Sequence, residues 1–160
     1  MLTIFKVGKY EECAKKVYEI LTKKYGKVKG ECAESVLLIV EQCPDIKGVG
    51  LQIHAGGYAK KVNNELRFTK YPTNHVVFLT EDFWILDPTG KQYSNDIPFV
   101  YPLEDLLKYY YTTTYDEATK EFMIKIWWSP IQALQPWQWN LYWEAIKRLD
   151  RIIRNGKRSL

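Results

Sequence analysis

His75 and Asp87 bracket two apolar runs, His75-Val76-Val77-Phe78-Leu79 and Phe83-Trp84-Ile85-Leu86-Asp87, joined by polar Thr80-Glu81-Asp82. Read as a hairpin with Leu79 opposite Phe83, the runs place His75 directly across from Asp87. Opposed residues on antiparallel strands share a face with Cβ atoms roughly 5 Å apart. A carboxylate there fixes the imidazole tautomer and stabilises its protonated form. A base oriented by a third group and presented to a nucleophile is the general signature of covalent catalysis.

Cys32 is the candidate nucleophile. Gly30-Glu31-Cys32 opens an apolar stretch with Ala33, Val36, Leu37 and Val40 at helical spacing, ending near Cys43-Pro44, and Gly26 and Gly30 mark a loop before it. Cys32 then falls in the first helical turn, where free backbone N–H groups and the helix dipole favour a thiolate. Glu31 acts in the opposite sense. The plain alternative is a small buried apolar residue, the usual fate of a free cysteine. Cys32, His75 and Asp87 together predict a thiol nucleophile, a base and an orienting carboxylate.

Around these residues the chain reads as α+β. An amphipathic helix spans Tyr10 to Lys24 with Cys13, Val17, Ile20 and Leu21 on one face, and the Cys32 helix follows. Val49 to His54 reads as a strand ended by Gly56-Gly57, and polar residues 58–74 hold a short strand at Leu66-Arg67-Phe68. After the hairpin come the turn Pro88-Thr89-Gly90, a short helix over Pro102 to Tyr110 with Leu103, Leu106 and Leu107 inward, and a β-rich run from Phe122 to Trp127. Tyr109-Tyr110-Tyr111 reads as the end of that helix and the start of a strand. A last helix runs from about Trp139 to Arg154, carrying Leu141, Ala145, Ile146, Leu149, Ile152 and Ile153.

The 160 residues, 46% apolar and 26% charged, suit one domain with a substantial core. A core over residues 26–100 carries the candidate site, and an aromatic-rich extension covers residues 101–160. A net charge of +4 is too weak to imply nucleic acid by itself, and the basic run Lys147-Arg148, Arg151, Arg154, Lys157-Arg158 reads as a solvated helix face. The three cysteines have no metal spacing, and their odd number argues against a disulfide framework and for a reducing compartment or a free reactive thiol. The start Met1-Leu2-Thr3 lacks a secretory pattern, and no apolar stretch approaches the ~18 residues of a membrane span. The expected location is cytoplasmic, or inside a target cell after delivery without a classical signal.

The order Cys at a helix start, His on a strand, Asp on the next strand resembles papain-like cysteine hydrolases, and within them the papain-fold toxin and effector domains of bacteria. The second motif of that group is similar to His75-Val76-Val77 followed by Leu86-Asp87-Pro88-Thr89-Gly90-Lys91-Gln92-Tyr93. The resemblance covers roughly Gly30 to Tyr93. It implies a papain-like fold, a nucleophile-bearing helix packed on an antiparallel sheet bearing His and Asp. It further implies Cys32 as nucleophile, His75 as base and then acid, Asp87 as orienting carboxylate, and no cofactor or metal. The expected chemistry is cleavage of peptide bonds, deamidation of glutamine or acyl transfer, all through a thioester. The partners are then a protein substrate and an inhibitor or immunity protein, with no membrane and no nucleic acid. Classical relatives place a Gln shortly before the nucleophile; Tyr25 to Glu31 holds none, so the oxyanion must use the Cys32 N–H and another donor.

Some motifs point elsewhere. His54, at a strand end beside Gly56-Gly57, reads as a hydrogen-bonded loop histidine without a matching carboxylate. The segment Trp127-Trp128-Ser129-Pro130 through Pro136-Trp137-Gln138-Trp139 reads as a cover over the core. It is also the natural surface of a non-enzymatic protein-binding module. The basic last helix with nearby aromatics would serve a nucleic-acid binder.

Overall fold

The computed structural model describes residues 2–26, 32–127 and 133–156; Gly30, Glu31, Trp128, Ser129, Pro130, Lys157 and Arg158, named above, lie outside the described residues. The helices are α1 (Leu2–Tyr25), α2 (Cys32–Gln42), α3 (Leu106–Tyr109) and α4 (Pro136–Arg154). The strands are β1 (Gly48–Ala55), β2 (Gly57–Val62), β3 (Glu65–Phe68), β4 (Thr73–Thr80), β5 (Trp84–Leu86), β6 (Val100–Pro102), β7 (Tyr110–Tyr111), β8 (Tyr115–Asp116), β9 (Glu121–Phe122) and β10 (Ile124–Trp127). The architecture is α+β, with helices packed on antiparallel sheets and a C-terminal helix. The principal sheet has the order β10-β1-β4-β5-β6, and a smaller one the order β3-β2-β7.

Strand alternation sorts the principal sheet's side chains into two apolar layers. Val76, Phe78 and Leu86 face one way and meet Tyr10, Cys13, Val17 and Leu21 of α1 and Val36 and Ile39 of α2. Leu51, Ile53, Val77, Leu79, Ile85 and Tyr101 face the other way and meet Leu141, Tyr142, Ala145, Ile146 and Leu149 of α4. The helices hold the sheet between them because each offers one apolar stripe. Among the described residues no helix is long and apolar enough to cross a membrane.

Several expectations need correction. Leu37 and Val40 are 42% and 38% exposed, whereas Ser35, Val36 and Ile39 are buried. The apolar stripe of α2 is wider than the face that docks, so spacing alone misplaces its centre. Residues 57–62, read as polar loop, form β2, because β3 and β7 supply partners on both sides. The segment from Pro102 is a 3₁₀ turn over Leu103–Asp105 running into α3, a single turn rather than one continuous helix.

The cysteine count also misleads. Cys13 and Cys43 form a disulfide with Cα atoms 6.2 Å apart, leaving Cys32 as the free thiol. The packing of α1 against α2 brings together positions that are 30 residues apart in the chain.

The hairpin register is shifted as well. Phe78 pairs with Leu86 and Leu79 with Ile85, so Leu79 does not face Phe83. The turn explains it: the Phe83 N–H donates to the Thr80 carbonyl at 3.0 Å, and Phe83 itself adopts φ 67°. A turn closed by a left-handed residue is the common three-residue hairpin loop, a position that normally favours glycine. Phe83 thus belongs to the loop, and the return strand starts at Trp84.

Candidate active site

Despite the shifted register, His75 and Asp87 meet. The shift moves the return strand by an even number of positions, which changes the partner but preserves the face. His75 Nε2 lies 2.6 Å from Asp87 Oδ1, and both side chains are 0% exposed. Tyr101 and Tyr110 donate hydroxyl hydrogen bonds to the other oxygen, Oδ2, at 2.8 and 2.5 Å. A buried carboxylate is tolerable only when its lone pairs are filled, and these three donors fill them. Burial, followed by the charge of Asp87, raises the pKa of Tyr101 and of Tyr110 far above the usual phenol range, so both stay protonated and donate.

Gly90 explains part of the Asp87-Pro88-Thr89-Gly90 motif. A Cβ at Gly90 would come within 2.8 Å of Asp87 Oδ2 and 2.8 Å of Ile97 Cγ2. The carboxylate sits where a side chain at 90 would go.

Cys32 reaches the imidazole from the opposite layer. α2 packs on the face bearing Val76 and Phe78, whereas His75 points with Val77 and Leu79. They meet at the strand edge, since β5 pairs with β4 only at Phe78 and Leu79 and leaves the edge beside His75 and Val76 without a strand partner. The backbone amides of Val76 and Ala33 favour the thiolate form of Cys32. Cys32 is the first residue of α2, as its place after the glycine loop suggested.

The electrostatics favour charge separation. Burial works against a Cys32 thiolate, but the closeness and positive charge of His75, with the neighbouring backbone amides, outweigh it and lower the thiol's pKa. Burial likewise opposes an imidazolium, but Asp87 and then Cys32 overcome it and raise His75 from 6.5 to about 9. His75 Nδ1 is buried and makes no hydrogen bond of ordinary geometry, although thiol and ring shift each other. A buried unpaired ring nitrogen costs about 1–3 kcal/mol, and contacts of this kind commonly tighten only when substrate binds.

Tyr93 completes the wall. Its ring meets His75 edge-on at 5.1 Å between centroids, and the His75 ring lies 5.2 Å from that of Tyr110. Burial and the nearby charges of Cys32 and Asp87, opposed by a hydrogen bond with Thr73, push the Tyr93 hydroxyl up to about 12. It is therefore protonated at neutral pH and able to donate.

The structure therefore brings Cys32, His75 and Asp87 together, and adds Tyr93, Tyr101 and Tyr110, which sequence reasoning missed. Tyr101 and Tyr110 lie beyond residue 100, outside the stretch read as carrying the site. The only trace of them in the sequence is an unusual number of tyrosines, 12 in all. His54 lies on β1 opposite Asn74; its backbone N–H donates to Met123 and its carbonyl accepts from Thr112, and neither contact involves the site. Among the described residues no group of three or more His, Cys, Asp or Glu side chains is placed to hold a metal ion. Comparison of the chain with protein-family models, with curated proteins and with solved structures finds no match.

Proposed function

We propose that this protein is a cysteine-dependent hydrolase of the papain-like kind, acting on peptide or glutamine amide bonds through a thioester. The observation that carries the reading is the imidazole of His75, held by buried Asp87 on one nitrogen with its other nitrogen unpaired, near enough to the free thiol of Cys32 for each to shift the other. Cys32, as thiolate, attacks the amide carbonyl carbon. Negative charge develops on the carbonyl oxygen, for which the Tyr93 hydroxyl and backbone donors at the start of α2 are the candidate stabilisers. His75 passes its proton to the departing amine or ammonia as the C–N bond breaks, leaving a thioester. Water then attacks the thioester with His75 as base, and the thiol is regenerated. Asp87 holds the ring and its charge throughout.

Cleavage, deamidation and acyl transfer share this centre and differ in what reaches the acyl carbon. The chain resembles delivered bacterial toxins, which makes a protein substrate and a dedicated inhibitor or immunity protein its expected partners. A second reading, a protein-binding module, is favoured by Trp137, Trp139 and Trp143, which are 41–43% exposed along α4.

The test is incubation with unfolded proteins and glutamine-containing peptides, followed by mass spectrometry of the products. Cleaved, deamidated or cross-linked products that disappear in a folded Cys32→Ala variant support the hydrolase. Products unchanged by that variant remove Cys32 from the chemistry. A complete lack of products, together with capture of a partner that Trp143→Ala abolishes, favours the binding module.

A further inference from the structure

Three tyrosines run outward from the candidate catalytic imidazole. Tyr93 touches the buried His75 ring, Tyr58 lies 5.2 Å from Tyr93, and Tyr71 lies 6.4 Å from Tyr58. Burial falls along the series, from His75 at 0% exposure to Tyr71 at 68%. A single exposed ring needs no explanation. A file of rings that starts at a reactive centre and ends in solvent is different, because each exposed ring leaves apolar surface uncovered.

The same strand face carries charge. Tyr58 and Lys60 are two apart on β2 and so point the same way, and Lys60 stands directly opposite Arg67 of β3. Like charges at directly opposed positions destabilise a pair of strands. Arg67 is offset by Glu65, 2.7 Å away, whereas Lys60 has no acidic partner among the described residues. Uncompensated positive charge beside the aromatic file is complementary to an anion.

We infer that Tyr93, Tyr58 and Tyr71 together with Lys60 form the substrate subsite, and that it takes a peptide with an aromatic side chain beside the attacked amide and an acidic residue further out. This rests on the hydrolase reading above and extends it to a substrate class. A peptide fits better than the other ligand that aromatic and basic groups commonly hold, a single nucleic-acid strand. A thiolate attacks a carbonyl carbon, which the peptide supplies and the phosphodiester does not.

The test uses four peptidyl vinyl sulfones that alkylate Cys32: aromatic–acidic, aromatic–lysine, alanine–acidic and alanine–lysine. Each second-order rate, read by intact mass, is divided by the iodoacetamide rate of the same protein, which cancels changes in thiol reactivity. The aromatic probes should react about tenfold faster than the alanine probes, given the value of a ring pair plus its burial. The acidic preference should be up to about fivefold and fade in high salt, as for an exposed ion pair. Tyr58→Ala and Tyr71→Ala should each erode the aromatic preference, and Lys60→Glu should reverse the acidic one. Equal normalised rates for aromatic and alanine probes in the wild type would overturn the subsite while leaving the thiol chemistry standing. An iodoacetamide rate no faster than that of an ordinary thiol would instead overturn the hydrolase reading and the subsite with it. Protection of Cys32 by a single-stranded oligonucleotide would overturn the peptide as occupant.

Discussion

Replacing Asp87 by Asn keeps the shape of the side chain and removes the charge that holds His75 protonated. Burial alone drives a histidine below 6.5, and Asp87 is the main force that carries this one to about 9. The interval between those two values corresponds to about 3.4 kcal/mol. Because both groups are fully buried, solvent screening takes little of it away. In Asp87→Asn the imidazole should titrate at or below 6.5, followed through the His75 ring protons by NMR in the wild type and the variant. The same linkage predicts how stability depends on pH. Between 6.5 and about 9 the folded protein holds a proton on His75 that the unfolded chain has released. The contribution is thus complete below pH 6.5 and is lost as pH rises through about 9. The Cys32 thiolate gives up a proton that the unfolded chain retains, which offsets this slope in the wild type. Urea unfolding at pH 6 and pH 9.5 should therefore show the decline in a Cys32→Ser background and a much flatter response once Asp87→Asn is added. The variant itself should be roughly 3–5 kcal/mol less stable near pH 6, the usual cost of breaking a buried pair. An imidazole that still titrates near 9 in the variant would refute the assignment of Asp87 as the source of its charge.

Two further outcomes follow from the same geometry. Tyr110→Phe removes one of the three donors to Asp87 and should cost about 1.5–3 kcal/mol in denaturant unfolding, as expected for a buried bond to a charged acceptor; a loss below about 0.5 kcal/mol would show that the hydroxyl does not hold the carboxylate. Cys13→Ser opens the link between α1 and α2, whose ends are 30 residues apart, and should lower stability by about 3–4 kcal/mol under non-reducing conditions on the chain-entropy account. Equal stability of wild type and variant would show that the bridge does not form in solution.

The parts of this structure that were legible in the sequence are those written in local pattern. The first and last helices announce themselves through apolar spacing, and Cys32 at a helix start follows from the glycines before it. The meeting of His75 and Asp87 was readable because strand alternation needs only parity, and parity survived a register that was misjudged. The misjudgement itself has one cause: Phe83 occupies a left-handed position where glycine is the usual signal, so the sequence carries no mark of the loop's true length. Tyr101 and Tyr110 were not legible, since the strands and turns that carry them toward Asp87 are set by sheet order. The disulfide was missed for a related reason: pairing Cys13 with Cys43 requires knowing how two helices pack. On α2, Leu37 and Val40 looked like core because an apolar side chain does not state which way its helix is turned.

The most direct measurement is the rate of iodoacetamide alkylation at Cys32 across pH 5 to 10, by peptide mass spectrometry, in the wild type and in His75→Gln. With Cys13 and Cys43 bridged, Cys32 is the site that should label. The account predicts fast wild-type labelling already near pH 6, because the imidazolium stabilises the thiolate, and slow labelling in His75→Gln that climbs only toward the ordinary thiol value of 9.0. Superimposable profiles for the two proteins would mean that sulfur and imidazole do not act together, and the proposed chemistry would be wrong.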